Sequence, residues 1–415
     1  MKKYGCIGKK LTHSFSKEIH RQLADYEYDL IELTEEELPV FFARKEFAAI
    51  NVTIPYKQTV LPYLDAVSDI ARRIGAVNTI VNRDGRLFGY NTDYYGIKSL
   101  IERLGIDLTG KKVLILGTGG TYRTARVVAA DLGASQILGV SRTKTDIHID
   151  YDAAVREHTD ADVIINTTPV GMYPNCGTKP IDISLFSKLE GVIDVVYNPL
   201  RTNLVLDALE RGIRAEGGLY MLVMQAVAAV ETFLDTKIDR ETADRVFASV
   251  FASKENIVLT GMPGSGKSTV GRLLDVDGYT FVDTDAEIEK RCGCTIRELI
   301  AAKGEPFFRD LESEVIRDVS AESGRILSTG GGAVLRDENV RALRRNGKLF
   351  FLYADLKRLQ ATEDRPLSDT PDKLARLYAE RTDIYRSTAD VIVPDMETPE
   401  AEAEYILSRR MEMML

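Results

Sequence analysis

Two stretches in the second half of this 415-residue chain set glycines, a lysine and carboxylates at spacings that suit phosphate chemistry. In Gly261-Met262-Pro263-Gly264-Ser265-Gly266-Lys267-Ser268-Thr269 the glycines free backbone N–H groups to turn inward at a helix N-terminus and hold phosphate oxygens. The apolar run Ile257 to Thr260 before it and a helical run after it supply the strand-to-helix context of a phosphate-binding loop. In that role Lys267 neutralises the β- and γ-phosphates of ATP and Ser268 ligates Mg2+. Asp283-Thr284-Asp285 ends the strand Tyr279 to Val282, where ligands of open parallel sheets gather. Its carboxylates can divide labour, one toward the cation and one toward an acceptor hydroxyl; alone they read as solvated turn aspartates. Arg309 and Glu312, one helical turn apart, are by themselves a surface ion pair. Gly330-Gly331-Gly332 follows the strand Arg325 to Ser328 and offers backbone that a ligand can approach closely.

The first half carries a different chemistry. His13-Ser14-Phe15-Ser16 follows the strand Tyr4 to Ile7, and Asn51-Val52-Thr53-Ile54-Pro55-Tyr56-Lys57 lies on and after the strand Ala48 to Ile54. Short hydroxyls and one lysine at the carboxyl ends of strands can converge on a small polar ligand, although singly the serines read as helix caps and Lys57 as a surface lysine. Asp93, in Asn91-Thr92-Asp93, can equally cap the next helix. Gly117-Thr118-Gly119-Gly120 is a partial dinucleotide fingerprint, because Tyr122 stands where the third glycine falls. The next strand, Gln136 to Val140, ends in Ser141-Arg142-Thr143-Lys144 and not in the acidic residue that bonds a ribose 2'-hydroxyl. A cationic pair there suits the 2'-phosphate of NADP, unless Arg142 and Lys144 are merely solvated loop charges.

Strands must bring these residues to one edge, and the pattern supplies them. Short apolar runs alternate with amphipathic ones along the whole chain, which predicts an α/β protein with mostly parallel sheets. Val77 to Asn82 and Leu87 to Tyr90, joined through Asp84-Gly85, predict a hairpin. Three domains are expected: an α/β domain over 1–105 completed by helices near 219–250, a Rossmann-type NADP domain over 106–252, and a phosphate-loop α/β domain over 255–415. The polar joint Ser253 to Asn256 separates the last two. Apolar residues at 44% and charged residues at 28% exclude a disordered or fibrous chain. With 54 Lys and Arg against 63 Asp and Glu, no general basic field draws it to nucleic acid or an anionic membrane. Four scattered cysteines and no apolar leader or membrane-length run give a cytoplasmic expectation. The four histidines and Cys292-Gly293-Cys294 do not make a zinc site.

Taken together, the C-terminal motifs resemble shikimate kinase over residues 255–412, with Arg365-Pro366-Leu367, Glu380-Arg381, Tyr385 and Ala389-Asp390 adding to the match. The resemblance implies that Asp285 positions and deprotonates the shikimate 3-hydroxyl, that Asp283 and Ser268 hold Mg2+, and that Arg309 and Arg381, with Gly331 and Gly332, bind the substrate carboxylate side. It places Gly264, Ser265, Gly266, Lys267, Ser268 and Thr269 on ATP, and Arg365 on the transferring phosphoryl group from a lid. Gln360-Ala361-Thr362 stands where this family usually has a further lid arginine.

The N-terminal motifs resemble shikimate dehydrogenase over residues 1 to about 250, through His-Ser-x-Ser, Asn-Val-Thr-x-Pro-x-Lys, Gly75 to Thr79, Asn-Thr-Asp, Gly-x-Gly-Gly-x-x-Arg, Asn166-Thr167-Thr168, Asp194 to Pro199 and Met221 to Gln225. That resemblance implies Lys57 and Asp93 as the acid/base pair. Ser14 and Ser16 fall on the carboxylate, Thr53, Asn78, Tyr197 and Gln225 on the rest of the substrate, and Gly117, Gly119, Gly120, Arg142, Thr143 and Gly218 on NADP(H). Tyr94, Thr121-Tyr122 and Tyr220 stand where the family has small residues and are expected to add bulk beside a ligand. A helix between Thr143 and Ala161 is expected to be trimmed.

The expectation is a bifunctional enzyme that reduces 3-dehydroshikimate to shikimate and phosphorylates it. The alternatives are a quinate/NAD specificity in the first half, or one half retained as a binding module. The oligomeric state is left open.

Overall fold

A computed structural model describes residues 3–11, 15–360 and 369–412, with side chains to 410. The chain divides into two units, Met1–Val250 and Phe251–Leu415.

The first unit holds two six-stranded sheets. In the N-terminal one the spatial order is Tyr28–Glu32, Tyr4–Gly8, Ala49–Val52, Thr79–Arg83, Arg86–Tyr90, Ala66–Val67. The first three strands are parallel, and the hairpin joins antiparallel to Ala49–Val52. Asp84 and Gly85 carry φ of 52° and 83°, so both turn residues are left-handed as a two-residue hairpin of this hand requires. Ile7, Ile50, Val52, Tyr56, Ile80 and Leu87 share one buried cluster with Leu38 and Phe42, which fixes the strands that end at the first site.

The second sheet is wholly parallel, in the order Arg214–Glu216, Gly191–Asp194, Val163–Asn166, Lys112–Leu116, Gln136–Ser141, His148–Asp150. Val113 to Leu116 and Val163 to Asn166 are buried throughout, as strands covered by helices on both faces must be. The chain winds outward one way from Lys112–Leu116 and then returns to its other side at Val163–Asn166. A crevice therefore opens at the carboxyl ends of these two strands. Where a trimmed edge was expected, His148–Asp150 adds a strand and Tyr151–Glu157 a short helix, with the Asp150 carboxylate accepting the Ala153 N–H at 2.7 Å. The helix Leu219–Leu234 then packs on Asp93–Arg103 and Ser16–Leu23 of the N-terminal layer. Gly96 permits that crossing: a Cβ there would lie 2.5 Å from the Met221 carbonyl oxygen.

The second unit has one parallel sheet, ordered Thr280–Asp283, Arg325–Ser328, Asn256–Thr260, Gly347–Leu352, Val391–Val393. The expected polar joint is not a loop. The helix Arg240–Lys254 ends one residue before the strand Asn256–Thr260 begins.

Candidate active sites

In the first unit, Lys57 Nζ donates to Asp93 Oδ2 at 2.6 Å, with both side chains largely shielded. The chain turns directly after the strand Ala49–Val52, where the Tyr56 N–H bonds the Thr53 carbonyl at 2.9 Å, and the Lys57 carbonyl is then tied by the Val77 N–H at 2.8 Å. Asp93 is the first residue of the helix Asp93–Arg103, where the helix dipole favours a carboxylate. Asn78 Nδ2 donates to Thr92 Oγ1 at 3.0 Å, the Thr92 N–H donates to Asn78 Oδ1 at 2.6 Å, and Thr92 Oγ1 reaches Gln225 Oε1 at 3.5 Å. Asn78 and Gln225, both singled out in the sequence, thus meet at Thr92, a hub the sequence reading missed, and the next residue, Asp93, carries the Lys57 contact. Its signal lay inside the quoted Asn-Thr-Asp motif. Behind them Tyr28 Oη donates to Asn51 Oδ1 at 2.7 Å, and Asn51 Nδ2 to Thr79 Oγ1 at 3.1 Å.

Thr53 packs its methyl against Gly8, where a Cβ would come within 2.7 Å. Ser16 opens the helix Ser16–Leu23, and its neighbour Phe15 lies 5.2 Å, ring to ring, from Tyr197. Ser14 lies outside the described residues. Cys6, which sequence marked only as a reduced thiol, is buried close by: burial pushes its thiol up to about 12, with Lys57 drawing it partly back.

The cofactor side begins at Gly117, with φ of 97°, whose missing Cβ would strike Thr168 at 2.9 Å. The helix Gly120–Asp131 starts at the crevice, and added Cβ atoms at Gly119 and Gly120 would meet nothing within 4 Å, so a phosphate has room at this helix N-terminus. Arg142, Thr143 and Lys144 are exposed beyond Gln136–Ser141, available to a 2'-phosphate. Gly218 precedes Leu219–Leu234 where a Cβ would fall 2.2 Å from the Val195 carbonyl oxygen. Asp194 anchors that loop: its buried carboxylate accepts from Asn166 Nδ2 at 2.9 Å, Thr202 Oγ1 at 2.7 Å and the Val196 N–H at 3.0 Å.

The three unusual tyrosines do not behave as expected. Tyr122 lies over Gly139 on the neighbouring strand and meets His148 edge-on at 5.2 Å. Tyr94 donates to Asp131 at 2.9 Å, the same carboxylate that Arg73 binds at 2.5 Å. Tyr220 donates to Asp244 at 3.1 Å beneath the Arg103 guanidinium, 4.6 Å from its ring centroid. Each ring is absorbed into packing between elements, because a neighbouring glycine or acid receives it.

In the second unit, Gly261, Gly264 and Gly266 have φ of 146°, 84° and 88°, conformations glycine adopts without strain, and the helix Lys267–Leu273 follows. Ser265 and Thr269 lie in this loop and on this helix. Lys267 is buried and donates to the Gly261 and Met262 carbonyls, both at 2.9 Å. Ser268 Oγ donates to Asp283 Oδ2 at 2.6 Å, while Asp283 Oδ1 caps the helix Thr284–Cys292 at the Asp285 N–H, 3.0 Å away. A serine hydroxyl on a carboxylate beside the loop is a donor set that fits Mg2+.

Asp285 Oδ1 is buried without a hydrogen-bond partner among the described residues. Burial, then the Asp283 and Glu312 charges, push its carboxyl up to about 7 against the pull of Lys267 and Arg309. Arg309 Nη1 donates to Glu312 Oε2 at 2.8 Å, and its other nitrogens reach Glu305. Each glycine of the triplet has its own neighbour. A Cβ at Gly330 would meet Asp285 Oδ1 at 2.6 Å, one at Gly331 would meet Pro263 at 2.8 Å, and one at Gly332 would overlap Arg309 Nη1 at 2.1 Å. Arg381 Nη1 and the Tyr385 hydroxyl both donate to the Gly331 carbonyl, the former at 2.9 Å. The two arginines, the acids and the glycines therefore line one end of the sheet with Lys267. Arg365, with the rest of 361–368, lies outside the described residues.

An acid/base pair below a dinucleotide-type crevice, and a buried carboxylate beside a phosphate loop, define a chain that joins an oxidoreductase to a phosphotransferase. Residues 6–80 match the family model of the shikimate dehydrogenase substrate-binding domain, and residues 263–410 match that of shikimate kinase. A shikimate dehydrogenase (NADP(+)) of Clostridium perfringens is 37% identical over 264 residues, spanning 60% of this chain and 97% of that protein. The crystal structure of a chorismate mutase/shikimate 5-dehydrogenase fusion protein from Clostridium acetobutylicum superposes with a TM-score of 0.57 at 35% identity, covering 60% of this chain and 97% of that one. A shikimate 5-dehydrogenase from Thermus thermophilus, solved with NADP(H) and shikimate, gives 0.54 at 28%, covering 60% and 99%. The chain belongs to the shikimate dehydrogenase family through its N-terminal part and carries a shikimate kinase domain at its C-terminal end.

Proposed function

We propose that this bifunctional enzyme of the shikimate pathway reduces 3-dehydroshikimate to shikimate with NADPH in its first unit and phosphorylates shikimate at the 3-hydroxyl with ATP in its second. The reading rests on the 2.6 Å Lys57–Asp93 contact and on the buried Asp285 carboxylate beside the phosphate loop.

NADPH, when bound, supplies the hydride. Lys57 hands its proton to the alkoxide forming at the carbonyl and takes it back in the reverse direction, while Asp93 keeps the lysine nitrogen aimed. Asn78 and Gln225, braced through Thr92, and Thr53 hold the ring hydroxyls; Ser14 and Ser16 hold the carboxylate, with Tyr197 closing the site. Gly117, Gly119 and Gly120 leave room for the pyrophosphate, Gly218 for the nicotinamide end, and Arg142 and Thr143 take the 2'-phosphate.

In the second unit the loop from Gly264 to Thr269 holds the ATP phosphates, and Ser268 and Asp283 hold Mg2+, which screens charge between the phosphates. Arg309, Arg381 and the Gly331–Gly332 backbone fix the shikimate carboxylate side. Asp285, once ionised, accepts the proton of the attacking hydroxyl, and Arg365 meets the transferring phosphoryl group. A cytoplasmic setting is supported by four free cysteines and by the lack, among the described residues, of any helix long and apolar enough to cross a membrane.

The test is one pot: 3-dehydroshikimate, NADPH, ATP and Mg2+ are incubated together, and shikimate 3-phosphate is sought by mass spectrometry. Shikimate accumulating unphosphorylated removes the second activity, and unconsumed NADPH removes the first.

A further inference from the structure

The helices that carry the kinase-site residues meet at a corner built on two thiols. Thr284–Cys292 starts at the Asp283–Asp285 pair and ends on Cys292; Ile296–Lys303 follows, and Glu305–Ala321 carries Arg309 and Glu312. Ile288, Leu299, Phe308 and Val315 form the small core between these three helices, and Cys292 and Cys294 pack on it. Cys294 Sγ donates to Cys292 Sγ at 3.4 Å, and Cys292 Sγ reaches the Cys294 carbonyl at 3.2 Å. Both thiols are half-buried and neither is in a disulfide. Between them Gly293, at φ of 70°, caps the helix through its N–H on the Glu289 carbonyl at 2.8 Å, and an added Cβ there would meet nothing within 4 Å. Among the described residues no third His, Cys, Asp or Glu joins them to hold a metal ion, which leaves sulfur–sulfur chemistry.

We propose that Cys292 and Cys294 are a redox-modification site that a low-molecular-weight disulfide closes into a Cys292–Cys294 bridge, weakening shikimate binding in the second unit. One thiolate attacks the small disulfide RSSR, forming a protein–S–SR bond and expelling RS−. The second thiolate then attacks the protein sulfur of that bond and expels the other RS−. The two protons lost by the thiols end on two RSH, so the small disulfide is reduced by two electrons and the cysteine pair oxidised by two. Closure shortens the sulfur separation from 3.4 Å to about 2.05 Å and removes both S–H donors. The turn must therefore shift at the end of the helix whose first turn holds Asp285, against the core that seats the helix of Arg309. The amide of Ile296, which opens the following helix, donates to Glu289 Oε1 at 3.0 Å and so ties the two helices across that turn.

This coupling rests on the kinase reading, and the test separates the two. The full-length enzyme is equilibrated with oxidised glutathione, alkylated and digested with trypsin, which releases Cys292–Arg297 as one peptide. The expected peptide is unalkylated and lighter by two hydrogens. The shikimate KM of ATP consumption is expected to rise at least about fivefold, as for an ordinary linked pair of sites, and to return with dithiothreitol. Dehydrogenase rates measured in the same sample stay level. A Cys292→Ser/Cys294→Ser double variant keeps the reduced KM in oxidant. Two alkylated thiols, a stable mixed disulfide, a closed bridge with unchanged KM, or an equal rise in the double variant each overturn the proposal. A reduced enzyme that shows no shikimate-dependent ADP formation sinks the kinase reading and the coupling with it, while the peptide mass still decides whether the bridge forms.

Discussion

Asp285 Oδ1 and Glu312 Oε1 face one another across Gly330, each buried and without a hydrogen-bond partner among the described residues. A Cβ at Gly330 would sit within 2.6 Å of the first and 2.8 Å of the second, so glycine is what lets the two acids approach. Like charges so placed resist joint ionisation. Burial, then the Asp283 and Glu312 charges, let Asp285 hold its proton up to about 7, while Glu312, itself raised by burial, gives its other oxygen to Arg309, which draws it partly back.

Kinase turnover should therefore rise with pH through about 7, because Asp285 must lose its proton before it can take one from the hydroxyl. Glu312→Gln removes the opposing charge, and the acidic limb of the kcat profile should move down by about one unit. The same variant frees Arg309 from its buried partner, so the shikimate KM rises while the limb moves. A limb that stays in place in Glu312→Gln would show that the neighbouring acid does not set the ionisation of Asp285.

The two activities should be separable by single lysines. Lys57→Ala removes the proton donor of the reduction and is expected to lower its kcat by about 10²- to 10⁴-fold, the usual contribution of a positioned acid. Phosphorylation by the same preparation should be unchanged. Lys267→Ala should do the reverse, since its Nζ is held at the phosphate loop by the Gly261 and Met262 carbonyls. Separate spectrophotometric assays of NADPH oxidation and ADP release on each variant decide this.

Asp194 accepts three hydrogen bonds at full burial, from Asn166, Thr202 and the Val196 amide. Asp194→Ala strands those donors in the core, at about 1–3 kcal/mol for each buried group left unpaired. The loop leading to Gly218 should loosen with it. The expected outcome is a lower first unfolding transition by calorimetry and a weakened NADP KM, with ATP KM unaltered.

The sequence made the strands and the site ends legible because both obey local rules. Apolar runs bounded by turn residues mark Lys112–Leu116 and Asn256–Thr260, Asp84-Gly85 marks its hairpin, and glycine spacing marks the phosphate loop. What stayed hidden depends on partners distant in the chain. Thr92 becomes a hub only when Gln225, 133 positions on, comes back beside it. Tyr94 and Tyr220 read as bulk near a ligand until Asp131 and Asp244 appear as receivers of their hydroxyls. The short elements His148–Asp150 and Tyr151–Glu157 carry too few residues for periodicity to register.

Tyr122 and Gly139 offer the sharpest check on that last kind of relationship. A third glycine normally lets the first helix of such a domain lie close to its sheet, and here a tyrosine stands in its place. The ring is accommodated because the facing strand gives up its own side chain: a Cβ at Gly139 would fall 2.7 Å from Tyr122 Oη and 2.5 Å from His148 Cδ2. Gly139→Ala should therefore destabilise the first unit by about 1–3 kcal/mol, as overpacking does, and raise the NADP KM by tilting the helix whose N-terminus meets the pyrophosphate. Tyr122→Ala alone leaves a gap and should also cost stability. Combined, the two changes should cost less than their sum, with a coupling of about 1 kcal/mol or more from urea unfolding. Simple additivity would mean that the tyrosine and the glycine do not compensate one another, and that the helix is held at its distance by some other contact.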